Sequence, residues 1–216
     1  PSSAPAPKPA ETVASDKTPA AVPASPKTDY DRALKKLGAE MDFYRKRLKN
    51  DQPSALNTTQ LAMAHVGRAQ LTGEIEDYDI AAKLLEDAFK LSGPGSGPYM
   101  ERSGLHSSLH RFKAAEADLD SAAKAVILLP KQKQAIALGR GDIALQYGDY
   151  AAATKHFAEA QTFGETHGVV FRHAVVAKHG ADFDKAHELL ASVIKKLPKK
   201  GQVTAFYHLQ RGLLDL

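Results

Sequence analysis

Four short stretches decide how this chain folds: Asp77-Tyr78-Asp79-Ile80-Ala81, Arg111-Phe112-Lys113-Ala114-Ala115, Asp149-Tyr150-Ala151-Ala152-Ala153 and Asp182-Phe183-Asp184-Lys185-Ala186. In each, an aromatic residue is followed three positions later by Ala. Four and seven positions beyond that Ala stand Leu85 and Ala88, Leu119 and Ala122, Phe157 and Ala160, Leu190 and Val193. Apolar residues at intervals of three and four share one face of a helix. The four marker alanines are 34, 38 and 33 residues apart, the spacing of a repeated supersecondary unit.

These motifs resemble the tetratricopeptide repeat, a helix–turn–helix unit of about 34 residues. The resemblance covers about residues 55–200. It implies an all-α, right-handed α-solenoid of about four repeats with flanking helices. In such a unit the aromatic wedges the turn between helices A and B. The Ala stays small because the two helices cross closely there, and the large residue four positions on fills the groove to the neighbouring unit. Gly148-Asp149-Tyr150 has the preferred turn form, and Pro198 stands where the family ends helix B. Pro130 lies three residues later than that pattern expects, and Gly93 and Glu165 replace Pro in the first and third units. The aromatic usual near the start of helix A survives only as Tyr99.

Helices are predicted at 29–49, 55–72, 78–91, 98–109, 112–129, 134–147, 150–162, 167–179, 183–196 and 201–214. The 38-residue spacing is read as one extra helical turn of about 3.6 residues at the end of the fifth helix. That helix should then protrude, with the apolar run from Ala125 to Pro130 at its tip. Gln202 to Leu216 carries Leu209, Leu213, Leu214 and Leu216, although terminal repeats ordinarily show a polar outer face. Either the chain continues or this end packs on itself or on a partner.

Outside the repeats, seven of the 12 Pro fall in residues 1–28, interleaved with seven Ala. Such a segment buries too little apolar area to offset its ordering cost, so residues 1–28 are read as a disordered Pro/Ala-rich linker. The chain starts at Pro1 rather than Met, from which an upstream segment is expected, removed by processing or by the choice of fragment. Residues 29–53 form an N-terminal amphipathic helix: Tyr30, Ala33, Leu34, Leu37, Met41, Tyr44 and Leu48 make one stripe. Arg32, Lys35, Lys36, Arg45, Lys46, Arg47 and Lys49 crowd the other face. A basic face of this kind suits either solvent or an anionic membrane. Residues 54–216 form the repeat domain.

The net charge is +4, of which residues 1–28 hold +1 and the helical part +3. This modest excess predicts no nucleic-acid partner. No run of 18 apolar residues occurs, so no helix of this stretch is expected to cross a bilayer. With no Cys, disulfides, Cys-based zinc sites and cysteine nucleophiles are excluded. His106 and His110 have the i, i+4 spacing of two zinc ligands, but no Glu lies between them and no third ligand is evident. His167, His173, His179 and His187 cluster in the fourth unit and predict sensitivity to pH near 6. Ser92 to Pro98 is Gly-rich, yet it follows a helix, lacks the Gly-Lys-Ser/Thr ending and is interrupted by Pro. It is read as a flexible inter-repeat turn. No enzyme, cofactor or metal site is therefore expected.

In the family this chain resembles, partners bind the concave face, at positions two, five, six, nine, twelve and thirteen of each helix A. Carried onto this sequence, the candidate set is Met63, Val66 and Gln70; Met100 and Glu101; Leu138, Asp142 and Leu145; Phe171, Arg172, Val175, Lys178 and His179; and Phe206 from the last helix. Gly67, Gly73, Glu74, Gly97, Gly104, Ser107, Ser108, Ala135, Gly139, Gln146, Gly168 and Leu209 complete these positions. The Lys and Asn clamp with which some family members hold acidic chaperone tails is missing. An apolar groove of this kind suits an amphipathic helix or an extended apolar peptide, with Arg172, Lys178 and His179 orienting an acidic end. Part of the set could instead be ordinary core, or be filled by the helix at 29–49 folding back. The expected function is a non-enzymatic adaptor that binds a protein segment and helps assemble a larger complex. The expected location is the bacterial periplasm or a membrane tether, with the cytoplasm as the alternative. The other readings are a homo-oligomer joined through the apolar C-terminal helix and the helix at 112–129, and a regulatory domain of a longer enzyme.

Overall fold

The computed structural model describes residues 29–215, and the proposed linker at 1–28 lies outside them. Among the described residues the chain forms helices and turns only. The helices are α1 (Asp29–Asn50), α2 (Ala55–Thr72), α3 (Glu76–Lys90), α4 (Tyr99–Ser108), α5 (Phe112–Ala123), α6 (Pro130–Gln146), α7 (Tyr150–Thr162), α8 (His167–His179), α9 (Phe183–Lys196) and α10 (Gln202–Gly212). Each packs on the next. The hairpins α2/α3, α4/α5, α6/α7 and α8/α9 are the four repeats, and the fold is an α-solenoid of helix-hairpin units resembling tetratricopeptide repeats.

The marker residues make the seam inside each hairpin. Ala81, Ala115, Ala153 and Ala186 are fully buried, and Leu85, Leu119, Phe157 and Leu190 are at most 2% exposed. Burying a side chain of that size stabilises by about 1.5–3 kcal/mol. Facing them on the A helices, twelve residues before each marker, stand Ala69, Ser103, Gly141 and Ala174, all buried. This second small-residue column lets the helices meet closely. The Ser103 hydroxyl is satisfied by donating to the Ala115 carbonyl at 3.1 Å. The wedge aromatics divide: Tyr78 and Phe112 pack against the core, whereas Tyr150 and Phe183 are nearly half exposed.

Three of the hairpin turns close in the same way. His110, Gly148 and Ala181 adopt left-handed backbone, with φ of 54°, 76° and 57°. The next amides then reach back five residues, Arg111 to His106, Asp149 to Ala144 and Asp182 to Ala177, at 2.8–2.9 Å. These bonds satisfy carbonyls that the helix end leaves open. Asp149 and Asp182 go on to cap α7 and α9 by accepting from Ala152 N and Lys185 N. Left-handed backbone costs a residue with a Cβ roughly 1–2 kcal/mol. Ala181→Gly should therefore stabilise the protein by about 1 kcal/mol, raising the melting temperature by a few degrees in calorimetry.

The fifth helix does not run to residue 129. α5 stops at Ala123, and the four extra residues of the 38-residue unit enter a non-helical link and the start of α6. Pro130 is the reason. Proline disfavours helical backbone in the residue before it but fits the first position of a helix. Leu129 is accordingly extended (φ −68°, ψ 152°), its amide donates to Gln132 Oε1 at 2.9 Å, and Pro130 begins α6 rather than ending α5. The expected protruding helix is replaced by an exposed apolar link. Pro198 does follow the end of its helix: α9 stops at Lys196 and Leu197 is extended.

α1 docks on α2 through Met41, Tyr44 and Leu48, which join Leu61 and Ala64 in one cluster. The stripe from Leu37 onward is thus the docking face, while Tyr30 at its start is 46% exposed. Phe43 on the other side is 53% exposed.

Candidate interaction surface

The A helices α2, α4, α6, α8 and α10 carry the candidate binding positions, and the structure sorts them by depth. Val66 is 4% exposed and belongs to the core between α2, α3 and α4. Gly67 lies under Leu37 of α1: a Cβ there would meet Leu37 at 3.1 Å. The helix at 29–49 therefore covers part of the first unit's share of the surface. Met63, Met100, Leu138, Leu145, Phe171 and Val175 are half-buried, each with one side free. Gln70, Gln146, Lys178, His179, Phe206 and Leu209 are exposed.

Polar bonds between neighbouring A helices stiffen this surface. Gln70 donates to Ser108 Oγ at 3.2 Å, tying α2 to α4. Arg172 of α8 grips Asp142 of α6 with Nε and Nη2 at 2.7 and 2.6 Å and also donates to the Gly168 carbonyl. Such fork-to-carboxylate geometry is the strong form of the ion pair. Arg172 and Asp142 neutralise each other, so Arg172 is not held free for an acidic ligand. His179 is stacked on Tyr150 of α7 at 4.8 Å between ring centres. Lys178 is left as the exposed cation. At the C-terminal end Phe171, Phe206 and Tyr207 form an edge-to-face aromatic cluster with centroid distances of 5.2–5.8 Å. The Tyr207 hydroxyl donates to the His167 carbonyl at 3.0 Å, and burial pushes its titration upward.

The histidines do not assemble a metal site. α4 ends at Ser108 and His110 is in the following turn, so the i, i+4 pair is not stacked on one helix face. Among the described residues no group of three His, Cys, Asp or Glu is placed to hold a metal ion. His106 instead lies 3.7 Å from Asp118, itself gripped by Arg102 at 2.9 and 2.6 Å.

Burial lowers the titration of His106 and of His173, the latter helped by Lys185. A depressed folded-state value means the neutral form is favoured in the fold. Its contribution is present above the ordinary histidine value of 6.5 and is lost as pH falls through the lower folded value. Melting temperature should be flat from pH 8 to 7 and drop below pH 6.5, and His173→Gln should shallow that drop.

The Gly-rich stretch before α4 is exposed at residues 93–96 and packs on α3 only at its end. Pro98 is buried, and a Cβ on Gly97 would lie 2.3 Å from the Phe89 ring, so only glycine fits. Phe89 in turn meets Tyr99 edge-to-face at 4.9 Å and lies 3.9 Å from the Arg102 guanidinium. These contacts join the first repeat to the second.

Among the described residues no helix is long and apolar enough to cross a membrane. No family model and no curated protein matches the sequence. Solved structures share the fold, among them the following two. BtubC (BKLC) from P. vanneervenii aligns with a TM-score of 0.55 at 15% identity, covering 87% of this chain and 83% of its own. PilF from Pseudomonas aeruginosa aligns with a TM-score of 0.51 at 14% identity, covering 87% and 86%. Both are helical-repeat proteins, and at these identities the likeness is one of architecture: this chain is an α-solenoid of the same general design.

Proposed function

We propose that this chain is a non-enzymatic interaction scaffold whose A-helix face takes an apolar helix or extended segment of a partner protein and thereby helps assemble a larger complex. The observation that carries this reading is the row of half-buried apolar side chains, Met63, Met100, Leu138, Leu145 and Val175, ending at exposed Phe206 and held in place by the bonds between neighbouring A helices. A row of this kind gains about 25 cal/mol per Å² when covered, and its rigidity lowers the ordering cost of binding. Lys178 would receive an acidic end.

Peptides selected from a random display library against the full chain test the reading. Bound peptides should shift the backbone amide signals of α4, α6 and α8, and Phe206→Asp with Lys178→Glu should weaken them by at least about tenfold, or 1.4 kcal/mol. Shifts confined to the B helices would contradict it.

A second reading rests on α10. Val203, Phe206, Leu209 and Leu213 are 42–60% exposed along one side of this last helix, which has no following B helix among the described residues. Such a stripe suits self-association, and Leu209→Asp would abolish it. The Pro/Ala composition of residues 1–28 supports, as part of the same proposal, a spacer that holds the scaffold away from an anchor in a bacterial envelope.

A further inference from the structure

The A helices end unevenly at the edge where they begin. Measured back from the marker alanines, α2 starts 26 residues upstream, α6 starts 23 and α4 only 16. At 1.5 Å per residue the flanking helices outrun α4 by about 15 and 10 Å. Pro94, Gly95, Gly97 and Pro98 cannot continue α4 backwards, so the shortfall is written into the sequence. It leaves a cleft of about 690 Å³, within the usual range of about 300–1,000 Å³ for ligand sites. Leu56 and Met100 line it from α2 and α4; Val126, Ile127 and Leu128 line it from the link after α5.

This lining is unusually bare. Val126 is fully exposed, Ile127 is 78% and Leu56 68% exposed. Adjacent large apolar residues in such a state mark a contact surface more than single ones do. The link is flanked by Lys124, Lys131 and Lys133, all exposed, and among the described residues none of the three is in an ion pair. Against them the lining offers the acid Glu101.

The complementary chemistry stands on the opposite edge of the same molecule. The α2–α3 turn reads Glu74-Ile75-Glu76, with Asp79-Ile80 one helical turn on. Ile75 is 69% and Ile80 39% exposed. Glu76 and Asp79 are exposed, and the Glu74 carboxylate lies 3.9 Å from Arg68. The turn follows the C-terminal end of α2, whose 18 residues place it about 27 Å from the end that lines the cleft.

We infer that the Lys-flanked cleft between α2, α4 and α6 receives the acidic, isoleucine-tipped α2–α3 turn of a second copy of this chain. The aliphatic tip fills the apolar cleft while the carboxylates meet the lysines. Because donor and acceptor surfaces lie on different edges, the contact is heterologous and propagates head to tail. A single turn covers far less than the roughly 1,200 Å² of a stable interface, so the association is weak, and exposed charges make it fall with salt.

Sedimentation velocity of the full chain over a concentration series tests this. The average mass should rise with concentration at low ionic strength and fall back when salt is added. Reversal of the rim (Lys124→Glu, Lys131→Glu, Lys133→Glu) or of the turn (Glu76→Lys, Asp79→Lys) should each weaken association at least tenfold. All five side chains are exposed, and circular dichroism should show both proteins folded. Mixing the two reversed proteins offers the reversed rim a reversed turn, and a mixed complex should reappear. A chain that stays monomeric throughout, or association that neither reversal alters, as contact through α10 would give, overturns the proposal. Peptide binding on the A-helix face is measured separately and does not depend on this outcome.

Discussion

Asp77→Ala is expected to cost about 3–5 kcal/mol, the loss that follows removal of one partner from a buried charge pair, and to lower the melting temperature by roughly 10 °C. Asp77 is 2% exposed. Its carboxylate accepts from Arg68 Nε at 2.5 Å, Arg68 Nη2 at 2.6 Å and His65 Nδ1 at 2.6 Å. Arg45 of α1 lies 3.4 Å from His65 Nε2. A guanidinium only donates, so His65 accepts at Nε2 and carries its proton on Nδ1, which it gives to Asp77. One carboxylate thus organises a chain of bonds through α1, α2 and α3. Without it a buried imidazole N–H loses its acceptor and Arg68 its counter-charge. In a solenoid stability is carried by neighbouring units, so hydrogen exchange should show the loss concentrated in α1 to α3. The hydrogen bonds from Arg68, with His65 adding to them, hold the Asp77 carboxyl below its ordinary value of 3.8. A depressed value contributes stability that is complete above 3.8 and disappears as pH falls through the lower folded value. Wild type should therefore lose more stability than Asp77→Asn between pH 4 and 2.

Gly141→Ala is the second large effect, and its sign is the diagnostic. Exchanging Gly for Ala inside a helix ordinarily stabilises by roughly 0.5–1 kcal/mol. Here the new Cβ would stand 2.2 Å from Phe157 Cε1, and Phe157 is fully buried among Ala144, Ala153 and Leu138. Overpacking of this kind costs about 1–3 kcal/mol, so Gly141→Ala should destabilise and Gly141→Val should do so more severely. Phe157→Leu alone leaves a void and also destabilises. Combined with Gly141→Ala it should cost less than the sum of the two changes, with a coupling of about 1–2 kcal/mol in urea unfolding. Additive effects would show that the two residues do not share the space assigned to them.

The marker residues were the most legible part of the fold because a repeat states its own register four times. Ala81, Ala115, Ala153 and Ala186 are buried as their spacing requires. The matching small column of Ala69, Ser103, Gly141 and Ala174 was equally available, since each lies twelve residues before a marker. Three different residue types carry it, so no single repeated letter marks it in the sequence. Asp77 stands in the first turn motif, where an acidic residue at a helix start reads as a solvated charge. Only the positions of His65 and Arg68 on the facing helix make it a buried hub. Pro130 misled because proline is equally at home just past one helix and at the start of the next. The candidate surface was legible as a set of helical positions, but not as depths. Leu37 covering Gly67, and Asp142 occupying Arg172, are contacts between units that periodicity within a unit does not specify.

The central claim is that the A-helix face meets a partner protein. It is tested most directly by placing a photo-crosslinking amino acid, one position at a time, along the full chain in the cell that makes it. Exposed A-helix positions Gln70, Gln146, Lys178 and Phe206 should give discrete adducts with another polypeptide. Exposed B-helix positions Lys113, Lys155 and Glu188 should not. Adducts from the B helices alone, or none from the A helices while the protein is present and folded, would contradict the account.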